Sequence, residues 1–551
     1  MNNKKIATIT FMFMTTIALS GCTIINRVVD NINDIITDDK NGTNNTNADF
    51  DVTKVDVDGK TIIAQTYKDY SDNNVYPIDY CPTKGTIKLL IIPVWFSDSS
   101  TYIETSNKDR VRQDIQKAYL GTNEETGWRS VKTYYEELSS GAVTITGTVT
   151  NWYSVSYTTS QLGKSEDLTC DLVEDATAWY FSNNPSDNKV NYDSDNNGYF
   201  DAVMLIYGAP DYSALNNDNL DNLWAYCNWI QKSNETTSPI VNVFFWASYD
   251  FMYSPGGYFT PTPAGTKYGS GDTSHCEIDA HTFIHEMGHV FGLEDYYDYS
   301  SSKYCPAGGF SMQDYNVGSH DPYSVMALGW ANPYIVNQNA EVNIGTFQKT
   351  REFILLTEEF NSYGSPFDEY ILLELYSPTG LNELDCKYTY ASTLKGPNKV
   401  GIRMWHVDAR LAYSNTYTSE VHGGTEYITP VFKAENITTN AKESKATYGV
   451  FHAFSNTYNS EQYGSVLGKK YYNYNILQMI RRDTRETVAT DNTISDSDLF
   501  ISGSYGLSNY KSQFVNSSPI QMNNGSFADW NIKIEISGSG NDATAKISIV
   551  K

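Results

Sequence analysis

The 551-residue chain is short of positive charge: 39 lysines and arginines stand against 65 aspartates and glutamates, a formal net charge of −26. Phosphate would be repelled by such a surface, which excludes nucleic acid as a partner. Cysteine is scarce too, seven in all, and no two are spaced as CxxC, which argues against a cysteine-built metal knuckle. Beyond the first 19 residues no apolar run is long enough to cross a bilayer. A phosphate-cradling glycine loop, a serine elbow and a dinucleotide fingerprint are all missing. What remains is an ordered composition, 40% hydrophobic and 14% aromatic, with 43 tyrosines. The length allows two to four domains.

The single long apolar run is N-terminal. Lys4 and Lys5 precede Ile6–Leu19, and "LSGC" then leads through small residues to Cys22. A charged, then apolar, then small-residue order is that of an export signal. Its ending resembles the lipobox of bacterial lipoproteins, with an ordinary signal peptide and a chance cysteine as the competing reading. The resemblance implies removal of residues 1–21 and a lipid on Cys22. The mature protein would then be anchored to the bacterial envelope facing outward, or released from it, with no other contact to the membrane. Residues 22–50 include "DNINDIITDDKNGTNNTNADF", too polar to bury a core, and form the expected flexible tether. In an exported chain Cys81, Cys170, Cys227, Cys276, Cys305 and Cys386 permit up to three disulfides, and free thiols fit as well.

From 51 to 340 strands and helices alternate, which predicts an α/β layer arrangement. "TIKLLIIPVWF" (Thr86–Phe96) has the continuous apolar character of a strand covered on both faces. "NKDRVRQDIQKAYLG" spaces Val111, Ile115 and Tyr119 as a helix stopping at Gly121. "WRSVKTYYEELSSG" does the same with Trp128, Val131, Tyr135 and Leu138. "AVTITGTV" reads as a strand, Leu168–Phe181 as a helix and Phe200–Gly208 as a buried strand. From 341 to 551 the strand-like segments "EYILLELY", "KVGIRMWHVDA", "WNIKIEIS" and "ATAKISIV" predict a mainly β, sandwich-like domain.

Between the two regions lies "HTFIHEMGHVFGLEDYYDY" (His281–Tyr299). On a helix, His285 and His289 project from one face, one turn apart, and can share a zinc ion. Glu286 is placed to take a proton from water at that centre and pass it to a leaving amine. Gly292 can end the helix in a left-handed turn, returning the chain so that Asp295 becomes the third ligand. The bland alternative is a surface helix with coincidental histidines. Asp298 competes with Asp295 by proximity, and Glu294 is the rival glutamate ligand; neither has a supporting spacing.

Other polar clusters carry weaker signals. "DSDNNGYFD" sets Asp193, Asp195, Asn197 and Asp201 at alternating positions around Gly198, as in the first half of a calcium loop. A structural Ca2+ competes there with an Asx-rich turn. His406 and Asp408 share a strand face and fit either a contact near the metal or a buried hydrogen-bonded pair between domains. His275, His281 and His320 flank the motif. Cys81 fits a masking thiolate less well than a disulfide or buried thiol.

The order His285-Glu286-x-x-His289-x-x-Gly292-x-x-Asp295 is similar to the zinc signature of metzincin peptidases, with Asp where the third His is usual. "GGFSMQDYNVGSHDPYSVMALGW" (Gly308–Trp330), "SVKTYYEELSSGAVTITGTVTNWY", "DSDNNGYFDAVMLIYG" and "VGIRMWHVD" resemble segments of secreted bacterial peptidases of the immune inhibitor A type. That resemblance implies a metzincin-like α/β fold with an active-site helix and a methionine turn. It also implies zinc on His285, His289 and Asp295, Glu286 as base, and Met312 as an apolar floor beneath the metal. Tyr315 is one residue later than the transition-state tyrosine of some relatives, whose position is Asp314 here. The expected activity is zinc-dependent endoproteolysis of extracellular proteins or peptides by a monomer. A surface binding protein or adhesin with an inactive peptidase domain is the alternative.

Overall fold

The computed structural model describes residues 79–551 apart from 231–232, 234, 254–277, 298–306, 361–365, 367, 391–393, 410, 417–426, 432–451, 454–464, 467–468, 471–475, 484–492, 511–521 and 523–527. The expected signal segment, Cys22 and the tether lie outside the described residues, as do His275, Cys276, Asp298 and Cys305.

The apolar run at the start of the described chain forms strand β1 (Gly85–Trp95). Around it are β2 (Val143–Val149), the short β3 (Tyr153–Ser154), β4 (Val203–Tyr207), β5 (Tyr226–Trp229) and β6 (Val243–Ser248). Their order is β2-β1-β4-β6-β5, with β3 continuing the pairing at the end of β1. All pair in parallel except β5, which runs antiparallel to β6 and forms one edge.

Successive residues of β1 point to opposite faces, so the run must be covered twice. Leu89 and Ile91 join a core with helices α1 (Lys108–Leu120) and α2 (Val131–Leu138) through Val111, Ile115, Val131 and Tyr135. Leu90 and Ile92 join a second core with α3 (Glu166–Asn183) through Leu172, Val173 and Ala176. Each such aliphatic side chain removed from water contributes roughly 1.5–3 kcal/mol. The strands and helices expected up to Gly208 are all present. Trp128 is the exception to its predicted helix: α2 starts at Val131, because Ser130 caps it in a reciprocal box with Thr133. Trp128 lies before the cap and still packs in the same core, its ring edge-on to Tyr134 at 5.9 Å.

The remaining chain is rich in strands. β7 (Tyr334–Val336), β9 (Phe353–Leu356), β10 (Glu369–Tyr376), β11 (Gly401–Asp408) and β17 (Leu477–Ile480) form a sheet ordered β17-β11-β10-β9-β7. β8 (Ala340–Gly345), β18 (Gly503–Gly506), β19 (Asn531–Ser537) and β20 (Thr544–Val550) form another, ordered β18-β19-β20-β8. Between them in sequence lie β12 (Leu411–Thr416), β13 (Tyr427–Val431), β14 (His452–Ala453), β15 (Ser465–Val466) and β16 (Lys469–Lys470). β10 is buried along its whole length, its acidic residue Glu374 included, which pairs with Arg403. Ile371 and Leu373 pack with Ile532, Ile534, Ile547 and Ile549 of the second sheet. Tyr370 and Leu372 on the opposite face belong to the same core as α1 and α2. The architecture is thus a mixed α/β layer backed by a β-rich remainder. Among the described residues no helix is long and apolar enough to cross a membrane.

Candidate metal centre

Helix α4 (His281–Val290) carries the two motif histidines. Phe283, Ile284, Met287 and Val290 seat it in the core beneath the sheet, and the Tyr135 hydroxyl donates to the Ile284 carbonyl at 2.6 Å. At its start Asp279 Oδ1 accepts the His281 N–H at 2.9 Å. At its end Gly292 adopts a φ of +103°, and the Leu293 N–H closes onto the Gly288 carbonyl at 2.9 Å. This left-handed turn, open to glycine at little cost, sends the chain back toward the histidines.

The turn delivers Asp295. Its Oδ1 lies 2.9 Å from Nε2 of His285 and 3.2 Å from Nε2 of His289, and the two Nε2 atoms are 3.2 Å apart. Three ligands of a tetrahedral zinc would lie about 3.3 Å from one another. Among the described residues this is the one group of three or more His, Cys, Asp or Glu side chains with donor atoms so close together.

The tautomers are set from behind. His285 Nδ1 lies 2.7 Å from the Met312 carbonyl and His289 Nδ1 2.7 Å from the Leu293 carbonyl. A carbonyl only accepts, so each Nδ1 carries the hydrogen and each Nε2 turns a lone pair toward the common centre. Two imidazole nitrogens and a carboxylate oxygen converging within hydrogen-bond distance call for positive charge between them, either a proton on Nε2 or a metal ion. The electrostatics agree. Burial alone would raise Asp295, yet the charges and hydrogen bonds of His289 and His285 hold its carboxyl well below the usual range. Burial would lower His289, but Asp295, Glu286 and the Leu293 carbonyl outweigh it and hold the ring at about 10, so without an ion a proton on His289 supplies the positive charge that a metal would replace. The residues present fit a metal ion.

Glu286, beside His285 in sequence, is 6% exposed. Burial pushes its carboxyl above the ordinary range, partly opposed by His289 and His285. The Cys227 backbone N–H on edge strand β5 is within hydrogen-bond reach of it.

Met312 opens a one-turn helix, α5 (Met312–Tyr315), and its carbonyl is the one that orients His285. Asp314 Oδ2 is occupied by the Gly309 N–H at 2.7 Å. Tyr315 is half-buried, its ring 6.1 Å from Tyr297. Tyr297 is the residue the motif did not announce: its ring stacks against His285 at 6.4 Å and its hydroxyl is within hydrogen-bond reach of Asp295. Two adjacent tyrosines after Asp295 carried no spacing rule that could have singled it out. Glu294, the rival ligand, is half-buried and outside the donor group.

The two described flanking histidines, His281 and His320, are buried supports. The His281 ring lies between Asp279 (2.7 Å) and Asp385 (3.2 Å) and stacks on Trp128 at 4.1 Å. His320 contacts the Tyr134 hydroxyl at 3.0 Å and Gln313 at 3.1 Å, and burial lowers it well below the ordinary imidazole value. The β-rich remainder also grips the segment on either side of α5. Arg403 donates to the Phe310 carbonyl (2.9 Å), Asp385 accepts the Gly318 N–H (2.6 Å), and Asn382 accepts the Ser319 N–H (2.9 Å).

Away from the centre, Asp193 accepts the N–H groups of Asn197 and Gly198 (3.0 Å each). Asp195 bonds Asn197, and Asp201 accepts from Ser194 at 2.8 Å and from the Lys88 N–H at 2.9 Å. These bonds tie the loop to itself, as in an Asx-rich turn, and through Asp201 to β1. His406 pairs at 2.9 Å with Glu369 rather than with its strand neighbour Asp408. Cys81 is a buried thiol whose N–H bonds the Val290 carbonyl at 2.9 Å. Cys227 and Cys386 are thiols too, so three disulfides do not form.

Residues 86–226 match the family model described as immune inhibitor A peptidase M6, catalytic domain, and the match supports a metallopeptidase of the immune inhibitor A type. It covers the sheet up to the start of β5 and ends before α4. No curated protein matches the chain.

Proposed function

We propose that this chain is a zinc-dependent endopeptidase of metzincin-like architecture acting on extracellular proteins or peptides, carried on the bacterial surface by a lipid on Cys22. The β-rich remainder is a sandwich-like domain in this reading. The observation that carries it is the convergence of His285, His289 and Asp295 on one point with both imidazole tautomers fixed.

His285, His289 and Asp295 would hold the zinc, which supplies Lewis acidity toward water and the scissile carbonyl. Glu286 takes the proton of the attacking water and delivers it to the leaving nitrogen. Its raised basicity, caused by burial, matches that task. Tyr297 restrains Asp295 from the side. β5, at the sheet edge and next to Glu286, suits an extended peptide adding as a further strand.

The test is proteolysis of unfolded casein by the purified chain. Activity that disappears on chelation and returns with one equivalent of zinc is expected. Activity indifferent to chelation would exclude the reading.

A further inference from the structure

Parallel strands β4 and β6 lie side by side with Tyr207 opposite Ser248, and both chain exits leave the same edge of the sheet. Each exit carries an aspartate, Asp211 after β4 and Asp250 after β6. They are 2% and 1% exposed.

Asp211 is tied down by its own loop: Oδ1 accepts the N–H groups of Ser213 (2.8 Å) and Ala214 (3.1 Å). Asp250 is held less firmly: neither of its carboxylate oxygens makes a well-directed hydrogen bond, and the nearby N–H groups of Asp211 and Asp250 itself only partly offset its burial. The adjacent hydroxyl, Ser248, has one hydrogen and gives it to the Ala209 carbonyl at 2.5 Å. Its oxygen already accepts the Asp250 N–H at 3.1 Å. Asp211 adds its negative charge to Asp250, and the groups acting most strongly on the two include no lysine, arginine or histidine.

An ionised carboxylate buried without a partner is strongly unfavourable. A proton shared between the two would serve one oxygen of Asp250 and leave the other with only the poorly directed N–H groups beside it. A hard divalent cation answers the whole deficit. Calcium takes six to eight oxygens at about 2.3–2.6 Å, accepts a carboxylate through one oxygen or both, and cancels both charges. We infer that Asp211 and Asp250 form a calcium site bridging the ends of β4 and β6.

The site is distinct from the 193–201 loop and does not rest on the zinc assignment. It bears on the metal centre through the backbone. Asp250 sits in the turn Tyr249–Met252, whose Met252 carbonyl accepts the Asp279 N–H at 2.9 Å, and Asp279 in turn holds His281 at the start of α4. Tyr253 pins the same turn to α1 through Asp114 at 2.7 Å. An ion between the two exits stiffens the connection from sheet to active-site helix.

The experiment uses the full chain freed of metal on a chelating resin, with and without one equivalent of zinc. Thermal unfolding is followed as CaCl2 is added, and calcium binding is titrated calorimetrically. The wild type is expected to melt higher with calcium and to bind an equivalent that Asp250→Asn lacks. Without calcium, Asp250→Asn should melt no lower than the stripped wild type, since its amide carries no charge. Asp195→Asn should keep the calcium response. A wild-type midpoint indifferent to calcium, the behaviour of a shared proton, overturns the site. So does a full response in Asp250→Asn, or a response lost only in Asp195→Asn, which would put the ion in the 193–201 loop. Should Asp250→Asn not accumulate, Asp211→Asn is measured in its place with the same outcomes.

Discussion

Gly288 lies hard against Gln313: a Cβ atom on the glycine would stand 2.2 Å from Oε1 and 2.7 Å from Cδ of the glutamine. Gly288 immediately precedes His289, and Gln313 immediately follows Met312, whose carbonyl orients His285. Gln313 is fully buried and held at His320. This contact sets how closely helix α4 approaches α5.

Gly288→Ala should therefore destabilise the protein by about 1–3 kcal/mol through overpacking, although alanine favours a helix over glycine by up to about 1 kcal/mol. Denaturant unfolding measures the change. In a Gln313→Ala background the penalty should vanish or reverse, and an unchanged penalty in the double mutant would show that the contact is not its source.

His281 and Asp385 form a second linkage, from the start of α4 to the β-rich remainder. Burial pushes Asp385 up to about 8, against the lowering influence of the Gly318 N–H. The folded value exceeds the unfolded one of about 3.9, so between these limits the folded state holds more protons. The stability contributed by the protonated group is full below pH ~4 and is lost as pH rises through about 8. Asp385→Asn, which imitates the protonated acid, should remove up to about 1.4 kcal/mol of stability loss per pH unit across that window. Unfolding curves at pH 5 and pH 8 check this. An identical pH dependence in wild type and variant would contradict it.

Glu286→Gln should retain zinc and lower casein cleavage by roughly 10²- to 10⁴-fold, the usual contribution of a general base. Metal analysis and proteolysis are run on the same preparation. Near-wild-type turnover would remove Glu286 from the mechanism.

Cys81 should behave as a packing residue. Burial first, then the charges of Asp201, Asp79 and Asp195, raise its thiol well above the ordinary value. Peptide mapping after treatment with a thiol reagent should find it unmodified in the native protein and modified after unfolding. Cys81→Ala should leave proteolysis as it was. A gain in activity would restore the masking thiolate.

The parts of this molecule legible in its sequence are those fixed by near neighbours in the chain. The spacing of His285, His289, Gly292 and Asp295 encodes the turn of helix and the reversal after it, so the donor group followed from local geometry. β1 announced its burial on both faces by a nearly continuous apolar run. What escaped depends on contacts remote in sequence. Tyr297 matters because it reaches Asp295 and His285, and Asp385 because it meets His281 from 104 residues away. Trp128 kept the helical spacing of Val131 and Tyr135, but the Ser130 cap ended the helix before reaching it. β5, with only four half-buried residues, had too short a pattern to mark an edge strand.

The most direct test of the central claim is zinc K-edge X-ray absorption on the purified full chain carrying one equivalent of zinc. The account predicts a first shell of nitrogen and oxygen donors at about 2.0 Å with scattering from two imidazoles, and loss of that shell in His285→Ala. Sulfur scattering at about 2.3 Å, or a spectrum unchanged by His285→Ala, would contradict it.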